Sequence, residues 1–223
     1  MRALSKLPRI VAICYKLGDC MARLIMVRHG ESVANLERRF TVSTDEPLTA
    51  AGVEQARARG LALRGRCAPT ALYSSPFLRA LQTAQTIGEV LGLAPIVVED
   101  LREQDFGIYR GRPYTDFYGH WMAAGGVDRW DLRPEDGEML RDVARRAGAA
   151  LDDIARRHLG GEVVVVSHGG VMSALRGWVL ADYSQPPVPT VNAGGYLLRY
   201  TGEHYEGPFD LESPETLVGH LGG

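Results

Sequence analysis

Two histidines stand at equivalent places in the sequence. His29 follows the apolar run 24–27, His168 follows the apolar run 163–166, and a glycine comes directly after each histidine. Short, wholly apolar runs are typical of strands buried on both faces of a parallel sheet. Ligands in open α/β sheets bind beyond the carboxyl ends of such strands. If the two strands are neighbours, the two imidazoles lie close together at a ligand-binding edge.

The residues around this histidine pair favour an anion over a metal ion. Histidine is a common zinc ligand, but Arg28 adjoins His29 and opposes a cation, and the sequence has neither an HExxH nor a CxxC motif. Arg79 follows Ser74-Ser75-Pro76 near the predicted start of a helix, where free backbone N–H groups attract anions. A guanidinium matches phosphate oxygens with its planar fork of donors. We therefore expect a phosphate-binding pocket, with no metal and no cofactor.

Strands and helices alternate along the chain. Apolar residues spaced by three and four predict four helices, which are placed after an N-cap at Thr49, over 80–91 with a stop at Gly92, over 143–158 and over 171–179. Weaker strand candidates are 71–73, 96–98 and 196–198. This order predicts an α/β protein, a three-layer α/β/α sandwich with a mostly parallel sheet.

Residues 104–137 do not follow this alternation. The segment is rich in glycine, aromatic and aspartate residues, and we predict an irregular excursion over one end of the sheet, of the kind that is often functional. Its aromatic residues either line an apolar pocket or fill the segment's own small core, and the second arrangement is favoured. They are Tyr114, Phe117, Tyr118, Trp121 and Trp130.

Composition limits the classes of partner. The chain has 223 residues, is 45% hydrophobic and 23% charged, and carries a net charge of −2, which gives no global attraction to nucleic acid or to an acidic membrane. No apolar run approaches the ~20 residues that a bilayer-spanning helix needs. The three cysteines lack metal-ligand or redox spacing, so we expect a cytoplasmic protein without a disulfide framework. Residues 1–21 are predicted to form an N-terminal extension outside the core, and 22–223 a single domain.

These residues, with others in the same order, resemble the histidine phosphatase superfamily, branch 1, which includes the cofactor-dependent phosphoglycerate mutases. The resemblance covers about residues 23–200 and implies a phosphoglycerate mutase-like fold. The motifs that match in order and spacing are Arg28-His29-Gly30-Glu31-Ser32, Asn35, Arg39-Phe40-Thr41, Leu48-Thr49-x-x-Gly52, Ser74-Ser75-Pro76-x-x-Arg79-x-x-x-Thr83-Ala84, Leu101-x-Glu103-x-x-x-Gly107, Gly111, Gly137-Glu138 and Val166-Ser167-His168-Gly169-Gly170.

The resemblance implies a role for each matching position. His29 would be the nucleophile that becomes phosphohistidine, and Glu103 the general acid. Arg28, Arg79 and His168 would complete the catalytic set. The residues implied to contact substrate or phosphate are Arg28, Asn35, Thr41, Arg79, His168 and Gly169.

Elementary chemistry agrees with these roles. Phosphoryl transfer needs positioning and positive charge around the equatorial oxygens, which two guanidinium groups and a protonated His168 would supply without Mg²⁺. His29 must be neutral at the attacking nitrogen, and a backbone carbonyl at its other nitrogen would fix the tautomer. Glu103 must hold a proton to release an alcohol and lose it to activate water. Asp105 is a weaker rival for that role.

Three functions remain open. We favour the first, a phosphomonoesterase acting on small phosphorylated metabolites, over the second, a cofactor-dependent phosphoglycerate mutase. The mutases that this chain resembles have a longer excursion with an adjacent basic pair, and Thr-Gly after Arg-Phe. Here Thr41-Val42 takes that place, and Arg112, Arg129 and Arg133 stand apart. The third function is a non-catalytic phosphate-binding or interaction module. The expected partner is a small-molecule phosphate ester, without nucleic acid or membrane, and a homo-oligomer stays open.

Met139 stands where many relatives have a serine after Gly-Glu. This replacement puts in doubt the cap of the helix that follows.

Overall fold

A six-stranded mixed sheet lies at the centre of the computed structural model, which describes residues 21–123 and 128–211. Its strands are β1 (Ala22–Arg28), β2 (Ala71–Ser74), β3 (Pro95–Val97), β4 (Glu162–Ser167), β5 (Gly195–Tyr200) and β6 (Tyr205–Asp210). The strand order is β3-β2-β4-β1-β5-β6. The first four strands pair in parallel, whereas β5 and β6 are antiparallel to their neighbours. The predicted α/β class with a mostly parallel sheet is confirmed.

Helices cover both faces of this sheet. The described residues form six, which are α1 (Val33–Leu36), α2 (Ala50–Arg64), α3 (Leu78–Leu91), α4 (Tyr114–Ala123), α5 (Leu140–Arg157) and α6 (Gly169–Leu180). Side chains of β1 alternate between two cores: Leu24 and Met26 pack with α5 and α6, and Ile25 and Val27 pack with α3. Because successive residues of a strand point to opposite faces, an all-apolar strand is what a three-layer sandwich requires.

The predicted helix signals match the helices of the structure. The Thr49 hydroxyl accepts a hydrogen bond from the Gly52 N–H at 3.0 Å and caps α2. Helix α3 ends at Gly92, whose φ of 74° suits a residue without a side chain. Met139 precedes α5 and makes no side-chain cap, as its replacement of a serine suggested. Helix α5 instead depends on its apolar stripe, which is buried against the sheet.

The prediction for residues 104–137 was wrong in one respect, because this segment contains the ten-residue helix α4. Phe117 anchors α4 in a small satellite core with Phe40, Tyr109 and Leu132.

Residues 1–20 lie outside the described part of the chain, and so does nearly all of the predicted extension 1–21. Among the residues that are described, no helix combines the length and the apolar character needed to cross a bilayer.

Candidate active site

The parallel pairing of β1 and β4 brings the two histidines together. Arg28 lies opposite Ser167 in the register, and the His29 N–H donates to the Ser167 carbonyl at 2.9 Å. The imidazole centroids of His29 and His168 are 5.2 Å apart, with 62° between the ring planes. Only 2% of His29 and none of His168 is exposed. The sheet thus places both rings at one edge, as their positions in the sequence predicted.

Hydrogen bonds fix the tautomer of His29. Its Nδ1 lies 2.7 Å from the Gly30 carbonyl oxygen, and because a carbonyl only accepts, Nδ1 carries the proton. Its Nε2 accepts from Arg79 Nε at 3.1 Å. Burial, followed by the charges of Arg79 and Arg28, holds the pKa of His29 well below its usual value. The ring is therefore neutral, with the Nε2 lone pair towards Arg79.

Ser75 determines the tautomer of His168. Its hydroxyl oxygen lies 2.6 Å from His168 Nε2 and accepts from the Phe77 N–H at 3.3 Å. Among the described residues the hydroxyl has no other acceptor, so we assign its proton to the Nε2 lone pair, which leaves the ring proton on Nδ1. Nδ1 is buried and finds no acceptor in the described chain. Burial, and then the charge of Arg79, hold the pKa of His168 well below its usual value in the ligand-free site, which favours a neutral imidazole there. A protonated His168 around a bound phosphate stays a prediction.

Two guanidinium groups complete what we call the phosphate pocket, formed by Arg28, His29, Arg79 and His168. Arg79 is only 4% exposed, and Arg28 donates from Nη1 to the Thr190 carbonyl. Arg28 Nε and Arg79 Nη1 are buried with no acceptor in the described residues. Burial lowers the pKa of both side chains, yet a guanidinium stays charged. Buried, charged donors without partners are costly, and an anion would satisfy them.

Glu103 lies in the same cavity as the phosphate pocket. Its Oε1 accepts from the Gln104 N–H at 2.9 Å. A Cβ at Gly170 would lie 2.6 Å from that oxygen, so the bare backbone in the first turn of α6 makes room for the carboxylate. The rival acid, Asp105, is ion-paired with Arg110.

Arg146 of α5 holds the backbone that carries Glu103. It donates to the carbonyls of Asp100, Arg102 and Glu103 at 2.8, 2.8 and 3.0 Å. Its guanidinium also pairs with Glu138 at 2.8 Å. Glu103 therefore comes from a segment that is anchored to the second helix layer, although the segment itself has little regular structure.

The remaining predicted contact residues also line the cavity, whose volume is about 520 Å³. The Asn35 amide donates to the Tyr114 hydroxyl at 3.1 Å and accepts from Asn192 at 2.9 Å. Thr41 donates its hydroxyl proton to the Ser43 carbonyl, so that hydroxyl offers only lone pairs to a ligand. At Gly169, the first residue of α6, a Cβ would lie 3.4 Å from Arg28 Nε.

Several cavity residues were not predicted from the sequence. The 186–192 segment supplies a wall that contains three prolines, and Asn192 bridges Asn35 and the His29 carbonyl. Arg129 also lines the cavity. No sequence motif marks these residues, because their positions depend on distant parts of the fold. Of the aromatic residues expected in a local core, Phe117 is there. Tyr114 and Trp121 pack against that core and also line the cavity. Tyr118 lines the cavity as well, whereas Trp130 lies in the main core.

The described residues contain no group of three or more histidine, cysteine, aspartate or glutamate side chains placed to hold a metal ion. The site instead concentrates arginine and neutral imidazole donors around one nucleophilic nitrogen. Such an arrangement is suited to phosphoryl transfer.

Comparison with known proteins leads to the same class of protein, one whose site is suited to phosphoryl transfer. The family model of the histidine phosphatase superfamily, branch 1, matches residues 24–206. A probable phosphoglycerate mutase of Yersinia pestis is 32% identical over 158 residues, which are 70% of this chain and 73% of that protein. The mycobacterial glucosyl-3-phosphoglycerate phosphatase complexed with VO3 is 29% identical with a TM-score of 0.70, covering 79% of this chain and 90% of that one. A phosphoglycerate mutase of Bacillus anthracis is 25% identical with a TM-score of 0.73, covering 84% and 92%.

Fold and site together define an α/β enzyme that transfers phosphoryl groups through histidine. The chain belongs to the histidine phosphatase superfamily, branch 1, and it is a hydrolase of the phosphatase type.

Proposed function

We propose that this chain hydrolyses small phosphate monoesters through a phosphohistidine on His29. The observation that supports this most directly is the geometry at His29. Its Nδ1 proton is committed to the Gly30 carbonyl, and the Nε2 lone pair lies next to Arg79 among buried donors that lack acceptors. A phosphate placed there would meet a neutral nucleophile and positive charge together.

The proposed reaction has two steps. The phosphate of the substrate draws the Arg79 guanidinium from His29 Nε2, and this nitrogen attacks phosphorus while the P–O bond to the alcohol breaks. Glu103 gives its proton to the departing oxygen. In the second step it takes a proton from the water that attacks the phosphohistidine, and the P–N bond breaks, which releases inorganic phosphate and returns the lone pair to His29 Nε2. Arg28, Arg79 and the Nδ1–H of His168 hold the equatorial oxygens.

The mutase alternative keeps some support. Relatives of both kinds match this chain, and one sequence argument against a mutase fails. Val42 stands where those mutases have glycine, but its side chain is 63% exposed and is not part of the cavity lining. It lies beside Gly111, with Cγ2 3.0 Å from where a Cβ of that residue would stand. Hydrolysis remains our proposal because the excursion 104–137 is short and lacks an adjacent basic pair. If the enzyme transfers its phosphoryl group to phosphoglycerate faster than to water, the mutase function is correct.

The decisive experiment concerns His29. We predict that His29→Gln lowers turnover of phenyl phosphate by at least about a thousandfold, because the nucleophile is lost. Acid-labile, base-stable phosphate should form on the wild-type protein during turnover and not on the variant. His204→Gln, at an exposed histidine, is the matched control and should behave as wild type. Undiminished labelling of His29→Gln would place the phosphoryl group on another residue.

Two further expectations belong to the proposal. The substrate is a free metabolite and not a nucleic acid or a membrane lipid, and the reaction takes place in the cytoplasm. The described residues leave the oligomeric state open.

A further inference from the structure

Asn192 lines the cavity, yet the proposed reaction gives it no role. It lies in the segment between α6 and β5 and is half-buried. Its Nδ2 donates to the His29 carbonyl at 3.2 Å and to Asn35 Oδ1 at 2.9 Å. One amide group therefore joins the backbone of the proposed nucleophile to a residue that is expected to contact phosphate.

Backbone groups fix the orientation of both amides. The Ser32 N–H donates to Asn35 Oδ1 at 3.2 Å, so Nδ2 of Asn35 points the other way, where it donates to the Tyr114 hydroxyl at 3.1 Å. The His29 carbonyl only accepts, so the atom of Asn192 that faces it is Nδ2. Asn192 thus supplies a second donor to the oxygen of Asn35, and this contact opposes rotation of the Asn35 amide.

The nitrogen of Asn35 lies on the side of the phosphate pocket. One of its N–H groups is taken by the Tyr114 hydroxyl, and the other has no acceptor among the described residues. Tyr114 is close to both guanidinium groups of that pocket. Burial lowers the pKa of Arg28 and of Arg79, and the charges of Glu103 and of ionised Tyr114 act in the opposite direction on both. The unused N–H of Asn35 therefore lies beside the place that an anion would take.

The backbone around Asn192 is held without help from its side chain. The Ala193 N–H donates to the His29 carbonyl at 3.2 Å, and Arg59 of α2 donates from Nε to the Ala193 carbonyl at 2.7 Å. If the Asn192 side chain is shortened, the His29 carbonyl keeps a donor and the segment keeps its anchor. The partner that loses most is the oxygen of Asn35.

We propose that Asn192 is a positioning residue that acts through Asn35, holding the Asn35 amide with its nitrogen towards the bound phosphoryl group. Without Asn192, the Ser32 N–H alone would hold the Asn35 oxygen, and the amide could turn that oxygen towards the anion, which it repels. This inference rests on the proposed function for the identity of the anion, but binding of an oxyanion tests it without any turnover.

The test is a double-mutant cycle on the full chain, with vanadate as the probe and calorimetric titration as the measurement. We expect Asn192→Ala and Asn192→Leu each to weaken vanadate binding by about tenfold, as loss of one hydrogen bond to a charged group allows. Leucine keeps the size of the side chain, so that water does not replace the amide. Asn35→Ala should weaken binding at least as much. In the Asn35→Ala background, either change at Asn192 should alter the dissociation constant by less than about twofold, because the residue through which Asn192 acts is gone.

Val191→Ala is the matched control, since Val191 lies in the same segment, is 76% exposed and does not line the cavity. It should bind vanadate as wild type does. The melting temperature shows whether each variant is folded, and either folded Asn192 variant is sufficient for the cycle.

Binding within about twofold of wild type in the Asn192 variants would overturn the positioning role. An equal loss in the two backgrounds would also overturn it, since Asn192 would then act independently of Asn35. Turnover of phenyl phosphate and labelling of His29 report on the proposed function separately. Coupling between Asn192 and Asn35 in vanadate binding, without turnover, would keep the positioning role and remove the phosphatase.

Discussion

A single hydroxyl group decides how His168 contacts a phosphate. With the Ser75 hydroxyl assigned as the donor to Nε2, 2.6 Å away, the neutral ring presents Nδ1 as a donor without further protonation. We predict that Ser75→Ala lets the proton move to Nε2 and leaves a lone pair at Nδ1. The variant would then regain a donor only by protonation, so its kcat/KM should rise as the pH falls, relative to wild type. Ser75→Thr, which keeps the hydroxyl, should restore the wild-type pH profile. Parallel profiles in all three proteins would contradict this role.

The dependence of the hydrolysis rate on the leaving group tests the proposed role of Glu103 as the general acid. We predict that Glu103→Gln slows hydrolysis of phenyl phosphate by about a hundredfold, because its oxygen needs a proton as it departs. Hydrolysis of 4-nitrophenyl phosphate should slow much less, since its phenolate leaves unaided. Asp105→Asn is the control at the rival carboxylate, and we expect it to leave the ratio of the two rates unchanged. If the two substrates slowed equally in Glu103→Gln, another group would be the acid.

At this scale the sequence indicated the residues that lie in fixed motifs. The order of motifs singled out His29, His168 and Arg79, and the structure brings these three together. Ser75 was not assigned a role of its own, because its importance comes from one contact with His168, which is distant in sequence. The protonation state of His168 in the ligand-free site depends on its burial beside two arginines, which cannot be read from composition.

At the scale of elements, the first turn of α6 faces Glu103, the proposed general acid. Gly170 leaves space for Glu103, and a Cβ there would approach Oε1 to 2.6 Å. We predict that Gly170→Ala displaces the carboxylate, lowering activity most towards poor leaving groups. Stability should hold or rise slightly, because alanine favours a helix over glycine by up to about 1 kcal/mol. Gly119→Ala in α4 is the control, since a Cβ there meets nothing within 4 Å. Full activity of Gly170→Ala with poor leaving groups would show that Glu103 has room to move.

Apolar strands and striped helices were predictable, whereas two other elements were not. Helix α4 has one fully buried residue, Phe117, so no repeating stripe marked it, and aromatic residues at the cavity obscured its pattern. Strand β6 contains Gly207 and Pro208 and no apolar run. Pairing along β5 at the edge of the sheet forms it, where proline is tolerated. Both elements depend on tertiary contacts more than on local preference.

At the scale of the whole molecule, the site makes stability depend on pH. His29 and His168 are buried and neutral, and their pKa values are held well below the usual value of 6.5 by burial and nearby arginines. In the unfolded chain both rings take up protons as the pH falls below about 6.5, while the folded protein cannot. The contribution of these two neutral imidazoles to the free energy of unfolding is therefore fully present above that pH and is lost progressively below it.

We predict that the ligand-free protein melts at lower temperature at pH 5.5 than at pH 7.5, with each of these imidazoles contributing up to about 1.4 kcal/mol per pH unit in this range. His168→Asn should flatten the dependence, whereas His204→Gln at the surface should not. Vanadate should raise the melting temperature at both pH values by binding the folded state alone. The same lowered pKa keeps His29 nucleophilic in weakly acidic solution, so the folded enzyme should stay active at pH values where its melting temperature has already fallen. A melting temperature equally sensitive to pH in wild type and His168→Asn would mean that other groups set the acid limit of this fold.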